Sequence, residues 1–176
     1  MQILIIVVAM LATMALAGGM MYLLVKRYFD NEQKERLLQM KIDERRETLK
    51  VVTPIRLQAY ERMALFLERI SPDSLVLRCY QPGMDLKLLQ GVMTKNIRDE
   101  WEHNLSQQVY LAPGTWARIR EAKDEMVNLV NSSAVTLTDT DDPTRLAATI
   151  FASAAKHLPT DKALKELHKE INELFG

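Results

Sequence analysis

Residues 1–25 carry no charged side chain, and that run constrains this chain more than any other feature of it. From 3 to 25 it reads ILIIVVAMLATMALAGGMMYLLV, with Thr13 the only clearly polar member. As a helix rising ~1.5 Å per residue, such a run covers about 34 Å, against a hydrocarbon core of ~30 Å. A helix also satisfies its backbone internally, as lipid requires. The sequence therefore predicts a single transmembrane anchor over 1–25. A cleaved signal peptide is the competing reading, since Ala15-Leu16-Ala17 resembles a cleavage site. No basic residue precedes the run, however, and it continues past that site to Val25, whereas signal h-regions are short and follow a basic segment. Lys26, Arg27, Lys34, Arg36 and Lys41 follow the run. The positive-inside rule then places residues 26–176 in the cytoplasm, with the N-terminus outside.

The remaining charge is balanced. Twenty-three basic residues face 23 acidic ones, so the net charge is zero and a nucleic-acid partner is not expected. One cysteine, Cys79, allows neither an internal disulfide nor a multi-cysteine metal site.

Residues 26–53 predict a charged helical stalk. Asp30–Lys34 and Glu32–Arg36 have the favourable acid-before-base order at i,i+4, while Leu38, Ile42 and Leu49 form a thin stripe that suits a short coiled coil at most. Pro54 predicts a fresh helix start, because proline disfavours helix in the residue before it. Residues 54–176 then predict an antiparallel helical bundle, giving an all-α chain of anchor, stalk and bundle. Ile55, Ala59, Met63, Phe66 and Ile70 share one helical face, widened by Leu57, Tyr60, Ala64 and Leu67. Leu75, Val76 and Leu77 predict a short buried piece, and Gln81-Pro82-Gly83 a turn. Leu86, Leu89, Met93, Ile97, Trp101, Leu105 and Val109 predict one helix over about 85–111. A further helix is expected over 114–137. Asp142-Pro143 reads as an N-cap followed by proline at the first helical position, and Thr160 as the cap of the last helix. VTLTDT at 135–140 is strand-like, but reads better as a fraying helix end.

Two constellations invite a chemical reading. Glu100 and His103 stand at Glu-x-x-His spacing, which di-iron carboxylate bundles use twice, and here it occurs once. With Glu61 and Glu68 these residues make the alternative reading: a bundle enzyme or carrier holding a metal or small ligand. The second constellation is amide-rich. Asn104, Gln107 and Gln108 lie beside Trp101, and Arg56, Gln58, Glu61 and Arg62 are their expected partners on the first bundle helix. Buried amides are costly unless paired, so this set predicts either a polar layer fixing helix register or a partner-binding surface. A phosphate loop and a nucleophile elbow are missing from the sequence.

The blocks PIRLQAYERMALFLERI (54–70), IRDEWEHNLSQQVY (97–110) and WARIREAKDEMVNLVN (116–131) resemble an uncharacterised family of small proteins from the Bacteroidota. That resemblance implies one N-terminal helix in a bacterial inner membrane and a cytoplasmic helical domain, and brings no activity, cofactor or site residue with it. The leading expectation is a membrane-anchored docking or scaffolding protein without catalytic activity or cofactor, with a protein partner or a second copy of itself as ligand.

Overall fold

The computed structural model describes residues 1–138 and 142–175, apart from the side chains of Leu4, Val8, Ala9, Ala12 and Phe175. Its elements are α1 (Gln2–Ile70), α2 (Pro72–Cys79), α3 (Leu86–Asn104), a 3₁₀ turn (Leu105–Val109), α4 (Pro113–Val135), α5 (Pro143–Ala154) and α6 (Pro159–Phe175). Among the described residues there is no strand. Of the strand-like stretch, Val135 ends α4 and 136–137 form a turn, while 139–140 lie outside the described residues. The chain divides into two compact units, Met1–Val52 and Thr53–Gly176.

The first unit consists of the N-terminal part of α1. None of its described side chains is buried. Local contacts are those of a solvated helix: Arg36 pairs with Glu32 at 2.6 Å and Lys50 with Glu47 at 2.6 Å. The expected Asp30–Lys34 pair is not formed among the described residues.

Among the described residues no helix is long and apolar enough to cross a membrane. This overturns the expected transmembrane anchor, and with it the placement in a bacterial inner membrane with the N-terminus outside and residues 26–176 in the cytoplasm. Leu4, Val8, Ala9 and Ala12 of the expected span lie outside the described side chains.

Pro54 does not start a helix: it lies inside α1. Proline removes one backbone donor, but its fixed φ is helical, and the turns on both sides keep their own bonds. In the second unit α1 buries Ala59, Tyr60, Met63, Phe66, Leu67 and Ile70, whereas Ile55 and Leu57 of the expected face are exposed. A short break at Ser71 precedes α2, which has proline at its first position. α2 buries Leu75 and Val76 but leaves Leu77 80% exposed, as helical rather than extended geometry dictates. Gln81–Met84 closes as a turn with Pro82 second and Gly83 third. Met84 N donates to Gln81 O at 3.3 Å, and Gly83 takes φ +89°, a conformation that disfavours any other residue.

Asp85 caps α3 by accepting from Leu88 N at 2.7 Å. The helix buries Leu86, Leu89, Met93 and Ile97. It ends at Asn104, earlier than the periodicity suggests, and the tighter 3₁₀ turn carries Leu105 and Val109 out of the buried line. α4 starts at Pro113 and runs through Ile119, Ala122, Met126 and Val130, all buried, as the central helix against α3, α5 and α6. Gln90 meets Asn131 at 3.0 Å while Trp101 meets Trp116, so α3 and α4 are antiparallel. Ala112 meets Glu170 while Glu125 meets His157, so α4 and the α6 segment are antiparallel too. Asp142 caps α5 through Thr144 N at 2.8 Å, as the sequence predicts. That hydrogen bond and a second from the Thr144 hydroxyl hold the Asp142 carboxyl below its usual range. Thr160 is not a cap; it is buried inside α6, which begins at Pro159.

Candidate functional site

The buried polar centre of the second unit joins α1, α4 and α6. Glu170 is 8% exposed, and its Oε1 accepts from three donors. These are the Tyr60 hydroxyl at 2.8 Å, the Ala112 backbone N–H at 2.9 Å and the Arg56 guanidinium at 3.4 Å. Arg56 also donates to the Tyr60 hydroxyl at 2.9 Å and to the Tyr110 carbonyl at 3.2 Å. The carboxylate thus sits at the start of α4, where the helix dipole favours negative charge. Glu170 Oε2 is buried and has no hydrogen-bond partner among the described residues. Burial, then the hydrogen bond and charge of Glu170, push the Tyr60 hydroxyl up to about 12.

Of the eight residues expected to form a polar layer, only Arg56 enters this network. Asn104 is buried, yet its amide donates to its own helix, at Glu100 O, 2.8 Å away. Trp101 faces an aromatic stack: Trp116 lies at 4.6 Å, Phe66 at 5.6 Å, and the Lys123 ammonium sits 5.4 Å from the Trp101 ring centre. Glu61 and Gln108 are exposed.

Gln58, Arg62 and Gln107 are brought together elsewhere. They line an open groove of about 410 Å³ between α1 and the 3₁₀ turn, with Ile55, Val109 and Tyr110 as its apolar members. Gln107 is nine-tenths buried, and its one hydrogen bond is a long donation, 3.3 Å, to the adjacent Ser106 hydroxyl. Its carboxamide oxygen has no partner among the described residues. Gln58 and Arg62 make no hydrogen bond or ion pair among the described residues, and Val109 is 72% exposed. The groove therefore offers two amides and one guanidinium beside uncovered apolar surface. Ile55, Val109 and Tyr110 escape a sequence reading because helical periodicity assigns the first two to the core. For Val109 and Tyr110 the one signal is the run Ser106-Gln107-Gln108 just before them, too polar to continue an apolar face.

The candidate ligands of a metal are not assembled. Among the described residues no group of three or more His, Cys, Asp or Glu side chains is placed to hold an ion. Glu61 and Glu68 are exposed on α1. Glu100 is taken by two guanidiniums, Arg69 at 2.6 Å and Arg78 at 3.4 Å, and Arg78 also donates to Asn96. His103 lines the same surface cleft of about 380 Å³, exposed. Cys79 is buried, which pushes its thiol up and away from reactivity.

The family model matching this chain is described as a family of unknown function (DUF7935), and it matches residues 1–174. The chain belongs to that family. No curated protein and no solved structure matches it. The DUF7935 match extends over α1 and the bundle alike, so the groove lies within the family's own architecture and not in an appended segment.

Proposed function

We propose that this member of DUF7935 is a docking module that binds a protein segment in the groove between α1 and the 3₁₀ turn. The observation that carries the reading is Gln107: a residue nine-tenths buried whose carboxamide oxygen reaches solvent and has no protein partner among the described residues, in a groove walled by exposed Ile55, Val109 and Tyr110. Unpaired polar groups beside uncovered apolar surface are what a peptide backbone and its side chains complete on binding. Scaffolding follows if the occupant belongs to another protein, and self-association if it belongs to a second copy. A source in the Bacteroidota is part of this reading.

The test is site-directed crosslinking in cells from a photoreactive residue at Val109. A defined crosslinked species is expected, and Tyr110→Asp together with Gln58→Ala should abolish it while leaving the melting temperature unchanged. A crosslinking pattern that this pair leaves unaltered would remove the groove as the docking site.

A further inference from the structure

We infer that the groove selects an extended segment carrying a carboxylate beside an apolar side chain; this rests on the docking reading above. The argument is one of charge and hydrogen-bond complementarity. Among the described residues, Arg62 is the one charged side chain lining the groove, and it has no ion pair there. The nearby Arg56 is already neutralised by Glu170. An occupant thus meets a net positive site with no acidic wall to repel a carboxylate. A basic occupant would leave Arg62 facing like charge, which costs affinity and specificity.

The remaining lining fits the rest of such a segment. Gln58 and Gln107 each present a carboxamide, which both donates and accepts, as an extended backbone does. One amide pairs with one peptide unit, so the two can fix the strand's register without demanding a side-chain identity. Ile55, Val109 and Tyr110 supply an apolar wall for a Leu, Ile or Phe side chain next to the acid. Arg62, rather than a lysine, suits a carboxylate because its fork can bond both oxygens.

Selection of random displayed peptides on the immobilised full chain tests this, with the Tyr110→Asp variant as counter-selector. Peptides retained by the natural chain should be enriched in Asp or Glu within two positions of Leu, Ile or Phe. For a synthetic peptide of that consensus, Arg62→Glu should weaken binding roughly three- to tenfold and favour the version with Lys in place of the acid. Arg62→Lys should keep the preference for the acid. Enrichment of neutral or basic peptides that still need Tyr110 would overturn the charge selection and leave the docking reading standing. Nucleic acid or a second copy of the chain competing for Tyr110 without an acidic segment would overturn it as well. The absence of any peptide that discriminates against Tyr110→Asp would overturn both readings.

Discussion

The Tyr60 hydroxyl donates to Glu170 Oε1 at 2.8 Å, tying α1 to α6 across 110 residues of sequence. The same oxygen receives the backbone N–H that opens α4, so one carboxylate joins three helices. Removing it strands three donors at once. Glu170→Ala should cost about 2–4 kcal/mol, while Tyr60→Phe, which strands less, should cost about 1–2 kcal/mol. Denaturant unfolding of both variants and their double mutant checks this, and the two effects should fall well short of additive because they share a bond.

The same pair sets an alkaline limit. Tyr60 titrates near 12 in the folded chain, against an ordinary tyrosine value near 10. Its folded value is the higher one, so its contribution is fully present below pH ~10 and is lost as pH rises towards ~12. Over that window this group alone should remove on the order of 2 kcal/mol of stability. Stability measured against pH should show the decline, and Tyr60→Phe should flatten it.

Leu75 and Leu77 separate the two geometries open to that segment. Leu75 is fully buried and Leu77 is 80% exposed. Leu75→Ala should cost about 2–5 kcal/mol, and Leu77→Ala no more than about 0.5 kcal/mol. Similar losses for both would indicate an extended segment buried along its length.

Glu100 is spoken for by Arg69 and Arg78, so iron or manganese should leave the melting temperature of the full chain unchanged. Glu100→Gln should weaken the tie among α1, α2 and α3 by about 1 kcal/mol, a figure kept small by the solvent around Arg69. A metal-dependent rise in melting that Glu100→Gln abolishes would restore the metal reading.

How much was legible depended on the range of the signal. Asp142-Pro143 gives the cap and start of α5 because capping acts within one turn. Gln81-Pro82-Gly83 gives its turn for the same reason. Met63, Phe66, Met93 and Ile97 declare buried faces by spacing. Pro54 misleads, since a local preference against helix is outweighed by the turns that flank it. Leu105 and Val109 mislead because periodicity carries no mark of where an α-helix tightens into a 3₁₀ turn. Glu170 was hidden in plain view. It follows Leu167 by three residues, on the face that also holds Ala163, yet a charged residue at such a position reads as solvated until its partner is known.

By itself, then, the sequence determined what is local or periodic: helices throughout the described chain, the cap of α5, much of the faces they bury, and the contrast between an uncharged beginning and a charge-balanced remainder. Tertiary structure alone decided which polar groups meet. It took Arg56 out of the expected amide layer and gave it to Tyr60 and Glu170, and it assembled Gln58, Arg62 and Gln107 around an open groove. The reason is physical. A hydrogen bond between residues more than a hundred positions apart depends on how helices pack, and packing is fixed by the whole core together rather than by the neighbours of either residue.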